Sequence, residues 1–238
     1  MGPVTRAGVG AVLLAGALSI AWTHATSAAE CLGRSDEPLV GVLQPPPCET
    51  CEETKAELDE LASLEQARTP EQVQRAARDA ERTLPRFLEG AGIAFDAEAM
   101  KPCEDFFLKR RNEEAASLEA AKSSFCRLRP YATPGNTLRP VDGAKPSDSY
   151  SYPSGHSTYG ATTGFLLAAM MPEKRGAIYA RINEYAHSRM VAGVHFRSDV
   201  EAGKLYGTAI AAALFAKPGF QAEFDEAKVC VRKAAGLP

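Results

Sequence analysis

Residues 153–171 read PSGHSTYGATTGFLLAAMM. From Gly160 to Met171 the run carries no charge, and at about a dozen residues it falls well short of the roughly 20 needed to cross a bilayer. It therefore predicts a helix buried in a protein core. A second apolar segment, Leu205 to Ala216, has the same character, and a polar helical stretch from Arg175 to Arg189 lies between them. With no alternating strand pattern and no internal repeat, these segments predict an all-α fold, a single-domain helical bundle.

Upstream the pattern stays helical. Leu58, Leu61 and Leu64 recur at helical spacing within 52–68, and Thr69-Pro70-Glu71-Gln72 has the form of a capping box with proline in the first turn. That box predicts a helix from Pro70 to about Leu84, interrupted by Pro85. Residues 96–125, rich in Ala, Glu, Lys and Leu, predict one long helix or two joined near Pro102. Between Arg129 and Pro153 five prolines and two glycines mark a long loop, of a length that in compact domains usually serves function.

The composition excludes several classes. The chain has 238 residues, 45% hydrophobic and 24% charged, which fits neither a disordered nor a fibrous protein. A net charge of -3, with no basic block, disfavours nucleic acid as a partner. Arg6, the uncharged stretch from Gly8 to Trp22 and the small residues Ala25 to Ala29 form a secretory signal pattern, so residues 1–29 are expected to be removed. A proline-rich segment, 30–50, would follow, and then the helical domain, 51–238. The exported chain would be periplasmic or secreted, with no stable membrane insertion once the signal is gone. All six cysteines lie beyond the signal, and an even number in an exported chain predicts disulfides whose connectivity stays open. Cys48-Glu49-Thr50-Cys51 has the spacing of a redox dithiol or half a zinc site, but no second such pair or nearby histidine completes a metal set, so no metal or cofactor is expected.

Three histidines remain after the signal. His195 precedes Asp199 by one helical turn, close enough for the carboxylate to hold one ring nitrogen and leave the other free as a nucleophile. His156 follows Ser154 and Gly155 at a predicted helix start, where a capping hydroxyl, a bare backbone and free N–H groups favour an anion. Lys122, Arg129 and Arg189 could supply positive charge to the same ligand. His187 is expected to be structural.

Taken in order, Lys122, Arg129-Pro130, Pro153-Ser154-Gly155-His156, Ser188-Arg189, His195 and Asp199 match the three-part signature of the phosphatidic acid phosphatase type 2 (PAP2) superfamily, which includes the vanadium haloperoxidases. Within it the chain most resembles the bacterial class A non-specific acid phosphatases, which share a proline-rich stretch like Gln44-Pro45-Pro46-Pro47. The resemblance implies a helical PAP2-type bundle and hydrolysis of small-molecule phosphate monoesters over a broad range, with phosphotransfer to alcohols as a side activity and homo-oligomeric assembly. It assigns the phosphate cradle to Lys122, Arg129, Ser154, Gly155 and Arg189, the nucleophile to His195 with Asp199 behind it, and the acid–base role to His156. It also implies an acidic optimum, because His156 must be protonated while His195 is neutral. The alternative is a vanadium-dependent haloperoxidase using the same anion cradle.

Overall fold

The structure, a computed structural model, describes Gly2, residues 37–144 and residues 147–238. The expected signal at 1–29 and Cys31 lie outside the described residues. Among those described the chain is helical with no strand, in the order α1 (Glu52–Ala67), α2 (Pro70–Arg78), α3 (Leu84–Gly90), α4 (Ala97–Phe125), α5 (Gly155–Met170), α6 (Arg175–Val191), α7 (Arg197–Ala216) and α8 (Phe220–Ala234). The all-α reading holds.

The opening sequence stretch becomes α5, and nearly every residue of it is buried. A helix apolar on all sides has to be enclosed, and α5 is enclosed by α6 on one flank and α7 on the other. The approach of α7 depends on two missing side chains. A Cβ on Gly203 would lie 2.5 Å from the Ser154 carbonyl oxygen, and one on Gly207 would collide with the Thr158 carbonyl. Around this centre α4 packs on α8, joined by the Cys103–Cys230 disulfide and a group of edge-packed rings including Phe106, Phe107 and Phe220. No described helix is long and apolar enough to cross a membrane.

The local signals fall where the helices form, with one correction. Pro85 does not interrupt a helix running on from Pro70. The second helix ends at Arg78, and Pro85 sits in the first turn of α3, where Thr83 accepts from the Arg86 N–H. Proline suits that turn because its missing N–H would have had no helical partner there. Of the two alternatives for 96–125, the single long helix is the one formed: Pro102 removes one bond near the start of a helix that continues to Phe125. Thr69 and Gln72 form the expected capping box. Ahead of α1, Val40 and Leu43 are buried in the same apolar cluster as Leu166, Tyr206 and Ile210.

If the α5–α7 contact depends on bare backbone, Gly207→Ala should lower stability by about 1–3 kcal/mol through overpacking against a carbonyl that cannot swing aside. Urea unfolding of the variant checks this, and an unchanged midpoint would remove the argument.

Candidate functional site

Four chain segments meet at one end of α5. The end of α4 and the residues after it bring Lys122, Arg127 and Arg129. The start of α5 brings Ser154, Gly155 and His156, the end of α6 brings Arg189, and the start of α7 brings His195 and Asp199. Gly193, at φ +72, makes the reversal between α6 and α7 that turns both Arg189 and His195 to the same side. The Ser154 N–H donates to the Asp199 carbonyl at 2.9 Å, fixing the two helix starts to each other.

A cleft of about 360 Å³ opens at this junction. Lys122, Arg129, Gly155, His156, Arg189 and His195 all line it. Two of the expected site residues stand behind its wall. Asp199 is fully buried beneath His195, and Ser154 is fully buried as the N-cap of α5, accepting from the Ser157 N–H. His187 is exposed on α6, away from the cleft.

His195 is held on both sides. Its Nδ1 lies 3.3 Å from Asp199 Oδ2, and its Nε2 accepts from Arg129 Nη1 at 3.1 Å. Burial, aided by the Arg129 charge, pushes its pKa down to about 3, so the ring is neutral with its proton on Nδ1. Burial alone would raise the Asp199 pKa, but the His195 hydrogen bond and the Arg127 charge outweigh it and hold the carboxylate at about 2. His156 donates from Nε2 to the Ala80 carbonyl at 3.1 Å; burial first and then the Arg189 charge hold it well below the usual histidine range. Both histidines are therefore neutral near pH 7.

The cations are constrained by backbone oxygens. Arg129 donates to the carbonyls of Ser149 and Val194 at 2.8 and 3.0 Å. Arg189 donates from its two Nη atoms to Ala76 and Ala144, both at 3.0 Å, while its buried Nε has no partner among the described residues. Lys122 is buried against the Tyr150 and Ser151 carbonyls, and desolvation, with Arg129 nearby, pushes it down to about 7. Several crowded cations with an unused donor suit an anion.

Sequence reasoning missed the support beneath Asp199. Buried Arg127 donates to Asp199 Oδ1 and to Glu57 Oε2, both at 2.8 Å, and its guanidinium lies 4.0 Å from the centre of the Phe196 ring. Glu57, itself buried on α1, also accepts from the Ser198 N–H at 2.6 Å, at the first turn of α7. Ser151 adds a bond to Asp199 Oδ2 at 2.5 Å. No local spacing joins Glu57 to Asp199, so nothing in the linear pattern points to this pair. Arg82, which also lines the cleft, was missed for the same reason. Cys48 and Cys51 are free thiols just before α1. No group of His, Cys, Asp and Glu suited to a metal ion occurs among the described residues.

A non-specific acid phosphatase from Providencia stuartii is 32% identical over 167 residues, 68% of this chain and 67% of that protein. The PAP2 superfamily profile matches residues 115–222, which contain every cleft residue expected from the sequence. The chain belongs to the PAP2 superfamily. A non-specific acid phosphatase from Salmonella typhimurium is 36% identical over 43% of this chain and 41% of its own length. An acid phosphatase from Zymomonas mobilis is 28% identical over 67% of this chain and 62% of its own. The matched part therefore spans well under the full length of these PAP2 relatives.

Two outcomes follow from this geometry. Removing the guanidinium with Arg127→Ala leaves Asp199 and Glu57 as uncompensated buried charges, and should cost about 3–5 kcal/mol in urea unfolding; a loss below about 1 kcal/mol would contradict the brace. The second concerns pH. The unfolded chain protonates both histidines near 6.5, whereas the folded cleft keeps them neutral, so the unfolded state binds more protons below about 6.5 and stability falls as pH drops. For His195 the fall continues to about 3. Thermal unfolding in phosphate-free buffer should show a lower midpoint at about pH 5 than at pH 7, with inorganic phosphate raising the midpoint more at the lower pH.

Proposed function

We propose that this PAP2 protein is an exported, metal-independent acid phosphatase that hydrolyses phosphate monoesters through a phosphohistidine on His195. The observation that carries the reading is the neutral His195 ring, pinned through Nδ1 by an ionised Asp199, with Nε2 on the wall of a cationic cleft. A binding protein would need the cations but neither the pinned nucleophile nor a second histidine. The relatives' acid phosphatase activity supports the same class of phosphoric monoester hydrolase, and the uncharged stretch from Gly8 to Trp22 supports export.

The substrate phosphoryl group sits among Lys122, Arg129 and Arg189 with the Gly155 N–H, and Ser154 acts through the cap that presents that N–H. Charge spreads over the three equatorial oxygens as the bond to the leaving oxygen breaks, and these donors stabilise it without reorganising. His195 Nε2 attacks phosphorus in line, forming the N–P bond, and His156 gives its proton to the departing alkoxide. The ring of His195 then carries positive charge, which Asp199 offsets. In the second half His156 takes a proton from water, the hydroxide attacks phosphorus, the N–P bond breaks and phosphate leaves. An alcohol in place of that water gives phosphotransfer.

His156 is neutral near pH 7, so its proton must arrive with the substrate. A phosphate dianion cancels the Arg189 field that depresses His156, and mildly acidic solution supplies the proton. Optimal activity is therefore expected on the acid side.

The deciding assay is hydrolysis of p-nitrophenyl phosphate from about pH 4 to 9 in EDTA, by the protein and by His195→Ala. Activity peaking below neutrality, indifferent to EDTA and reduced by at least about a thousandfold in the variant is expected. Retained activity in the variant would overturn the covalent mechanism, and halide oxidation gained on adding vanadate, without ester hydrolysis, would move the protein to the haloperoxidase branch.

A further inference from the structure

Arg82 forms no ion pair with a carboxylate among the described residues; the carboxyl that feels its charge, and that of Arg111, is Glu114, which burial pushes up to about 7. The Arg82 side chain makes no hydrogen bond or ion pair to any other described residue, unlike Arg86, Arg127 and Arg181, each of which meets a carboxylate. Its charge is felt by Lys122, His156 and Arg189, all of which it disfavours in their protonated forms. Its Nη1 lies 3.6 Å from the position that a Cβ on Gly155 would take, so it stands over the start of α5 beside the phosphate cradle.

Arg82 also lines a second cleft, of about 400 Å³. This arginine is shared by the two clefts. The second holds Arg111, whose Nη1 donates to the Arg82 carbonyl at 2.8 Å and which forms no ion pair among the described residues. Lys101 there is engaged by Glu98 at 2.6 Å. Glu104 and Asp105 line the same cleft and Glu119 the first, but none of them pairs with either arginine. Leu84, Phe107 and Tyr159 give the second cleft an apolar wall. Two guanidinium groups with no carboxylate at ion-pair distance among the described residues, one of them shared by both clefts, are placed for an anion that the cradle does not hold.

We propose that Arg82 and Arg111 form a second anion subsite for a phosphate group on the leaving side of the substrate, so that diphosphates and bisphosphorylated esters are preferred over simple monoesters. The preference for such esters rests on the phosphatase reading; the subsite itself does not. The cradle binds the phosphoryl group that is transferred, and the arginines bind the phosphate that departs.

Calorimetric titration with methylphosphonate and methylenediphosphonate, which carry one and two phosphonate groups and cannot be hydrolysed, tests the subsite without turnover. The diphosphonate is expected to bind at least about tenfold more tightly than the monophosphonate. Arg82→Gln should remove most of that advantage, weakening the diphosphonate at least about fivefold more than methylphosphonate, with Arg82→Lys intermediate. Arg111→Gln is the second variant, and circular dichroism verifies that each is folded. Equal binding of the two ligands by the unmodified protein would overturn the proposal. So would equal weakening of both by Arg82→Gln, which would make Arg82 part of the cradle. Hydrolysis of p-nitrophenyl phosphate without a diphosphonate preference sinks only the subsite; the preference without hydrolysis sinks only the phosphatase reading.

Discussion

The buried guanidinium of Arg127 holds two carboxylates that would otherwise face each other's charge in the interior. Through Glu57 it reaches α1, and through Asp199 it reaches the first turn of α7 and the ring of His195. A buried ion pair of this kind adds little net stability compared with apolar packing, since desolvation offsets most of the attraction. Its value here is geometric. It fixes the carboxylate that sets the tautomer of His195, and the Glu57 contact with the Ser198 N–H occupies a helix-start donor that would otherwise need water. The distant N-terminal helix is thereby part of the site.

The α5–α7 packing imposes the second constraint. Close approach at Gly203 and Gly207 brings the Ser154 N–H to the Asp199 carbonyl, so the start of α5 and the start of α7 are tied together. The cleft between them has little freedom to widen. A rigid set of donors can stabilise charge as it develops without paying to reorganise, which is where most of the catalytic effect of such a site would come from.

The fold and most of the cleft were legible because they rest on local signals. An uncharged run such as 160–171 can only be buried, and a Ser-Gly-His sequence before it can only be a helix start. Six of the eight residues expected at the site line the cleft; the other two, Ser154 and Asp199, support it from behind. What stayed hidden depends on tertiary contact. Glu57 and Arg127 look like surface charges in the linear pattern, and Arg82 lies in the connection between α2 and α3 with no motif around it. Pro85 was misread for a related reason: proline marks a helix boundary, but whether it closes one helix or opens the next is decided by the residue before it, here Thr83 as cap. The protonation state of His156 could not be read from its reference pKa, because the depth of its burial and the nearness of Arg189 exist only in the folded chain.

The Cys103–Cys230 crosslink joins residues 127 apart, and the stretch between them carries every cleft residue except Ala80 and Arg82. Closing a loop of that size removes conformational freedom from the unfolded chain, by about 4–5 kcal/mol in the chain-entropy account. The cleft itself contains no cysteine, so its chemistry does not depend on thiol redox state, while the endurance of the fold that carries it does. Material made in a reducing cytosol would therefore have the same reacting groups but a shorter working life than material folded in an oxidising compartment.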